Sequence, residues 1–385
     1  MQSDIQNLLN LPDISFIDNI TIDELLQDMI NDYESEYSYI TGTKKTLYPF
    51  DSDRIKLQSV SLKLYQIMQY IDRAGKMNLL KYSQDEFLDH VGALKGVYRK
   101  DEAFASAVVR FSISDIQNDA VPIFQNTRVS AGNELYFNVD DYMEITPGAQ
   151  YVDVPVTCMT AGSSGNGFFV GQINTLVDPI PLITSVSNII ASEGGADKEN
   201  DDDLRERIYL APSSYSTAGP EDAYVYWTKY YSNIIKDVKI VTDTFGGTIT
   251  IFILNKNGEI PSQQFLDSVE NFITNMNVKP STDKVIVSAP EVINYDIELT
   301  YYVNKSDENN VNVIKSNIET AVNDYIAWQK QVIGRDINTN KLVSMIIGAG
   351  AKRADIVSPN YTVVSNTSVA VESDILLAFG GIEDD

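Results

Sequence analysis

The sequence predicts an α+β multidomain chain with an N-terminal helical region, a central β-rich block and two C-terminal two-layer α+β units. Apolar residues recur at three- and four-residue spacing through the first hundred positions. From about residue 104 the period falls to two, and beyond about residue 237 strands alternate with amphipathic helices. Those periods separate helix from half-buried strand, and the alternation is that of sheet-and-helix layers. A length of 385 residues allows about two or three average domains. Composition shifts place boundaries at 1–103, 104–192, 193–236, 237–290 and 291–385.

In the first region, Leu25, Leu26, Met29, Ile30 and Tyr33 follow Thr21-Ile22-Asp23-Glu24. Thr21 is the expected N-cap there, with Glu24 completing a capping box. A second stripe runs Val60, Leu64, Ile67, Met68 and Ile71. A third, Phe87, Leu88, Val91 and Leu94, starts near Ser83 with Asp85 and Glu86 in its first turn, where carboxylates suit the helix dipole. Narrow stripes of this kind are expected to pack helices on one another or on the body of the protein.

In the β-rich block, Val109, Phe111 and Ile113 alternate with Val108, Arg110, Ser112 and Ser114. Short strands are expected around Pro122–Phe124, Arg128-Val129, Glu134–Phe137 and Val152–Val156, separated by turns such as Ala131-Gly132-Asn133 and Pro147-Gly148. The result is a small sandwich or barrel-like sheet ending near residue 190. The Gly-rich, acidic stretch Ser192–Asp203 then leads into a helix at Leu204–Ile208 with aspartates at its N-terminus. Pro220-Glu221-Asp222 opens another helix carrying Tyr224, Trp227 and Tyr231.

The first C-terminal unit reads as strands at Val238–Val241 and Thr248–Leu254, a helix at Ser262–Asn275 and a strand at Lys284–Val287. The second reads as a strand at Ile297–Val303, helices at Asn309–Ile326 and Lys341–Ile347, and strands around Ile356, Val363 and Val369.

Composition excludes several functions. With 29 basic and 54 acidic residues the net charge is −25. No Lys/Arg cluster exists to displace phosphate counterions, so no nucleic-acid partner is expected. The single cysteine, Cys158, and single histidine, His90, leave no material for a disulfide framework, a multi-cysteine zinc site or a multi-histidine centre. No cofactor or metal is expected. No apolar run approaches the ~18–20 residues that span a bilayer, and Met1-Gln2-Ser3-Asp4 starts no secretory signal. Folding in a cytosol without membrane insertion is the expectation.

Three places could hold chemistry, and each has a plainer explanation. Ala161–Gly167 is Gly-rich, but strand-like Phe168-Phe169-Val170 follows and no Lys-Ser/Thr does, so a hairpin or bulged connection fits better than a phosphate loop. A calcium loop from Asp197 through Glu199, Asp201 and Asp203 fails at its sixth place, Asp202, and its twelfth, Ile208, which favours a capped, solvated helix start. His90 beside Asp89 reads as structural. A cell-wall hydrolase needs two convergent carboxylates, and an adhesin needs trimerising β-repeats and a tip domain, which the sequence lacks. The 22 tyrosines, 14 phenylalanines and two tryptophans instead suit protein interfaces. Leu25, Met29, Tyr33, Tyr224, Trp227 and Tyr231 are the candidate partner-interface residues.

The run Gly194-Gly195-Ala196-Asp197-Lys198-Glu199-Asn200-Asp201-Asp202-Asp203-Leu204-Arg205-Glu206-Arg207-Ile208 resembles the baseplate J-like family of contractile phage tails and related bacteriocins, whose pattern there is GGAD-x-E-x-D-x-x-LR-x-R. Leu88–Leu94 with Gly96–Arg99, Ala161–Gly167, Gly171-Gln172-Ile173, Thr217–Pro220 with Ala223-Tyr224 and Tyr226-Trp227, Lys279–Val285, Trp328-Gln329 and Gly334–Asn338 resemble it in the same order. The likeness covers roughly residues 80 to 385. At Val121–Val129 the family's Ile-Pro-Ala-Gly-Thr-x-Val is replaced by a turn filled with Phe124-Gln125-Asn126.

The resemblance implies a non-enzymatic baseplate wedge protein that oligomerises with six-fold symmetry around a hub and links hub, sheath and fibres. It further implies a part in the rearrangement that triggers contraction. Its implied partners are other copies of itself and other wedge, hub, sheath-initiator and fibre-network proteins. The C-terminal units would make ring-forming contacts, and the N-terminal helices would bundle with partner helices.

Overall fold

The structure, a computed structural model, describes residues 5–132, 134–215, 220–243, 247–275, 279 and 283–384. It is the α+β multidomain chain that the periodicities predict. Of the expected features, Asn133, Thr217–Gly219 and Pro280–Thr282 lie outside the described residues. Two compact units emerge, one formed by Met1–Arg99 with Asn200–Tyr209, the other by Lys100–Glu199 with Leu210–Asp385.

The first unit holds helices α1 (Ile5–Leu9), α2 (Ile22–Thr41), α3 (Ser52–Lys76), α4 (Asp85–Ala93) and α5 (Asp201–Leu210). The capping box forms as read: Thr21 Oγ1 accepts from the Glu24 N–H while Glu24 accepts from the Thr21 N–H. Gly42, in the left-handed region at φ 69°, closes α2. Tyr33 Oη donates to Asp53 at 3.0 Å, Lys45 reaches the same carboxylate at 2.6 Å, and the Leu47 N–H donates to Glu34 at 2.7 Å. The first of these joins α2 to α3, and the other two tie the connecting segment to α3 and to α2. Helix α4, which carries the third stripe, starts at Asp85, two residues after Ser83, which is itself buried.

The second unit opens with β1 (Phe104–Ile113), β2 (Val121–Ile123), β3 (Arg128–Ser130), β4 (Tyr136–Val139), β5 (Met143–Ile145), β6 (Tyr151–Ala161), β7 (Thr175–Leu176) and β8 (Ile183–Asn188). Six strands run in the order β7-β3-β4-β6-β1-β8 as a nearly closed, barrel-like sheet, with β2 and β5 as a separate ribbon. The two-residue period is realised: Val109, Phe111 and Ile113 face a core with Phe137, Val154 and Val156. On the other face Arg110 meets Asp153 across the β1–β6 register in a two-pronged pair at 2.7 and 2.9 Å. In the divergent turn, Asn126 takes φ 66°, the conformation glycine ordinarily supplies and asparagine tolerates.

Beyond α6 (Glu221–Tyr231) come β9 (Ile235–Asp243), β10 (Thr248–Asn255), α7 (Gln263–Asn275) and β11 (Lys284–Ser288). Their sheet runs β11-β10-β9, and α7 buries Leu266, Val269 and Ile273 at helical spacing. Last come β12 (Glu291–Asn304), α8 (Val311–Lys330), α9 (Thr339–Gly348), β13 (Arg353–Ser358) and β14 (Ser368–Glu383). They form a β13-β12-β14 sheet against which Ile314, Ile318, Val322 and Tyr325 of α8 are buried. Leu254, Ile333 and Val369 form a shared apolar contact between these two bodies. Val363 does not join a strand. Asp336 holds that segment instead, accepting from the Val364 N–H and the Tyr361 hydroxyl.

Candidate functional site: the acidic motif and the exposed stripes

The run 193–208 is an extended edge followed by a helix, and several of its polar side chains have distant targets. Within the second unit, Ala196 exchanges backbone bonds with Ala103, and Glu193 with Ser106, so the run pairs alongside the start of β1. Asn166 mimics a further ladder rung: its Nδ2 donates to the Gly195 carbonyl at 2.7 Å and its Oδ1 accepts from the Gly195 N–H at 2.8 Å. Asp197 accepts from both the N–H and the hydroxyl of Ser163, each at 2.9 Å. The Gly-rich loop is therefore a docking strip for the acidic motif. It turns through a short 3-10 segment, Ser163–Gly165, rather than a simple hairpin. Glu199, buried, accepts from the Lys100 N–H at 3.0 Å.

Within the first unit, Asn200 caps α5 by accepting from the Asp203 N–H. Asp201 accepts from the Asp85 N–H at 2.9 Å and from Arg99 at 2.7 Å. Arg205, almost wholly buried, donates to the Leu80 carbonyl at 3.0 Å and the Ser83 carbonyl at 2.8 Å, and pairs with Asp202. Arg207 donates to the Tyr98 carbonyl at 2.7 Å. Leu204 and Ile208 point into the unit and are fully buried. A β-carbon on Gly92 would sit 2.6 Å from the Val97 carbonyl oxygen and 3.0 Å from Ile208 Cδ1, which fixes how closely α4 and α5 approach. The aspartate run is thus more than a solvated helix start, because its partners hold backbone in place.

These bonds shift proton affinities. The Ser163 N–H, then its hydroxyl, hold the Asp197 carboxyl below its ordinary 3.8. For Asp201, burial pushes upward, but the Asp85 N–H and Arg99 outweigh it and the value is lowered. In α3, Lys45 above all holds Asp53 down to about 2. A carboxylate whose folded value lies below its unfolded one stabilises fully above the unfolded value, and that contribution fades as pH falls through the folded one. Thermal melts should therefore show a midpoint that drops as pH is lowered below about 4. Asp197→Asn should lower the midpoint at pH 7 and give a shallower acid slope. An acid slope identical to wild type would show that the Ser163 contact contributes nothing.

Among the described residues, no group of three or more His, Cys, Asp or Glu side chains gathers as a metal site. His90 is exposed, and its neighbour Asp89 bonds Arg99. No helix is long and apolar enough to cross a membrane among the described residues.

The candidate interface residues fall in two places. Tyr224 is buried and donates to Asp283 at 2.7 Å. Trp227 packs edge-on to Tyr226 and Tyr230, and Tyr231 packs on Phe265 and Phe272 of α7. This aromatic group fastens α6 onto α7. Leu25, Met29 and Tyr33 are half-buried on α2. Of the stripe on α3 that was expected to be packed, all but Met68 lies open instead. Val60, Leu64, Ile67 and Ile71 are each 40–53% exposed, whereas Leu57, Ser61, Tyr65 and Met68 face inward. Periodicity finds such a stripe, but only the structure shows that, among the described residues, no helix of its own unit buries it.

A barrel, two sheet-and-helix bodies and a helical hairpin, with polar chemistry directed at backbone and apolar surface left outside, define a multidomain scaffold. Residues 108–195 match the Baseplate J-like protein barrel domain, and residues 216–289 match the Baseplate J-like central domain. Both matches agree with the resemblance that the motif run carries. Baseplate protein J of Escherichia phage P2 is 28% identical over 45% of this chain and 56% of its own length. Baseplate protein gp47 of Escherichia phage Mu is 26% identical over 56% of this chain and 58% of its own length. The chain thus spans little more than half of either relative. It also resembles a chain in the cryo-EM structure of the anti-feeding prophage (AFP) baseplate, at TM-score 0.40 and 11% identity over 90% of each chain.

Proposed function

We propose that this protein is a structural baseplate component of a contractile tail or tail-like bacteriocin. In this reading it is a wedge strut that oligomerises around a central hub, links hub, sheath and fibres, and moves in the rearrangement that triggers contraction. One observation carries the proposal: residues 108–195 and 216–289 match the baseplate J-like barrel and central domains, and the P2 and Mu relatives are themselves baseplate proteins. The use of polar side chains supports a role without catalysis, since the carboxylates of the motif hold backbone N–H groups and arginines. Copies of this chain and other wedge, hub, sheath-initiator and fibre-network proteins are its proposed neighbours.

Electron micrographs of assembled particles with this protein gold-labelled test the reading. Label on the basal plate is expected, and label confined to fibres or to free protein would overturn it. Clearing of purified peptidoglycan in a zymogram would do the same.

The N-terminal hairpin is proposed to bundle with helices of neighbouring subunits. Leu25→Asp with Met29→Asp should abolish co-purification with other baseplate subunits while the second unit keeps its melting transition. Undiminished co-purification would count against the bundle. For Tyr224, Trp227 and Tyr231 the contacts are internal, so a partner would meet the neighbouring Tyr230, which is exposed.

A further inference from the structure

The outer face of the barrel carries an open concavity of about 340 Å³, bordered by β4, β6 and the turn before β3. The strand pattern explains its position. Phe137 and Val139 point into the core, so Asn138 points out, and the register sets it beside Thr157, which in turn faces Ser106. Asp140 follows at the end of β4. Asn126 enters from the turn where this chain departs from the family pattern. Phe104 and Met159, each about half exposed, supply an apolar wall. The volume lies at the small end of the ~300–1,000 Å³ of ligand pockets, room for one side chain rather than a cofactor.

The lining is rich in acceptors and includes no lysine, arginine or histidine. Asn138 Oδ1 is buried without a hydrogen-bond partner among the described residues, which leaves its desolvation uncompensated. Asp140 bonds internally through its main chain alone: its N–H donates to the Pro155 carbonyl, and its carbonyl accepts from Gln125 Nε2. Its carboxylate has no partner among the described residues. Arg128 stands opposite Asn138 in the β3–β4 register, but Asp178 holds its guanidinium by bonds at 3.0 and 2.8 Å. Two side-chain oxygens and an apolar wall thus meet in one concavity, and no cation of this chain serves them.

A calcium ion is a poor match, because its affinity follows the number of ligand charges and Asp140 is the one carboxylate in the lining. An anionic lipid or nucleic acid would be repelled by that carboxylate. An arginine side chain matches every part: its planar fork donates to two oxygens at once, and its face stacks on an aromatic ring. Arginine is also enriched in interface cores and anchors them in pockets. Another copy of this chain carries the same net charge of −25, so a less acidic protein is the better match.

We propose that this concavity receives an arginine side chain from a different subunit. The proposal rests on the assembly reading above and adds a surface and the chemistry of the partner.

The test uses the full chain in assembled particles. p-Benzoylphenylalanine at Phe104 keeps a ring on the apolar wall. Irradiation and mass spectrometry should return a segment of another subunit with an arginine within a few residues of the cross-linked position. A segment without arginine, a second copy of this chain, or no cross-link from particles containing the protein would each overturn the inference and leave the assembly reading intact. Absence of the unmodified protein from the particles would overturn both. In parallel, Asp140→Lys should lower incorporation at least about tenfold. Its melting midpoint should stay unchanged, because the carboxylate has no internal partner, and Asp140→Glu should incorporate as the wild type does. Wild-type incorporation of Asp140→Lys, or an equal loss with Asp140→Glu, would sink the inference.

Discussion

Arg205→Met is expected to cost the N-terminal unit about 3–5 kcal/mol, enough to melt it well before the wild type. Arg205 is 7% exposed and donates to two main-chain carbonyls, those of Leu80 and Ser83, in the segment entering α4. Hydrogen bonds from a charged donor each contribute ~1.5–3 kcal/mol, and a buried acceptor left without a partner carries its full desolvation penalty. Methionine keeps most of the volume and supplies no donor, so the loss isolates the hydrogen bonds from packing. Arg205→Lys should recover little, because an ammonium lacks the planar fork that reaches two oxygens at once. Urea unfolding followed by far-ultraviolet circular dichroism would check this. A midpoint within error of wild type for Arg205→Met would refute the assigned role.

Gly195→Ala should destabilise the contact between the strip 161–167 and the acidic motif by about 2–3 kcal/mol, the cost of forcing extra volume into a closely packed site. The added β-carbon would stand 2.4 Å from the Gly162 carbonyl oxygen, 2.9 Å from Asn166 Oδ1 and 3.1 Å from the Ala105 β-carbon. The nearest of these is backbone, so no rotamer change relieves it. The strip 161–167 must part from the motif, and with it goes the two-way bond between Asn166 and Gly195. Hydrogen exchange at the amides of Ser163, Gly195 and Ala196 would read the loosening directly. Unchanged protection with an unchanged melting point would show that the strip tolerates the methyl group.

Much of the fold was legible because it depends on neighbours in the chain. The Thr21–Glu24 box, the alternation of Val109, Phe111 and Ile113, and the α7 row Leu266, Val269, Ile273 each follow from spacing over a few residues. The acidic motif was legible only as a pattern. Its physical meaning lies in partners 34 positions away for Ser163, 99 for Lys100, 116 for Asp85 and 125 for Leu80. No local period reports such contacts. The same limit applied to Val363, whose β-branched neighbourhood suggested a strand while Asp336, 28 positions before Val364, holds that stretch without one. For α3 the apolar row was visible, but covering it is a property of what surrounds the helix. The aromatic residues of α6 are the converse case, since Tyr224 and Tyr231 suggested an outward face and pack inward on Asp283, Phe265 and Phe272.

The first unit closes only with the segment Asn200–Tyr209, which carries α5 and begins about a hundred positions after Arg99. A ribosome adding ~5–20 residues per second needs about 5–20 s to bring that helix out. During this interval Leu88, Gly92 and the carbonyls of Leu80 and Ser83 have no Ile208 or Arg205 to meet, while the whole barrel emerges and can form. The order of synthesis therefore differs from the order of completion. The nascent N-terminal helices stand unfinished, open to chaperones or to premature association, until the chain returns to them.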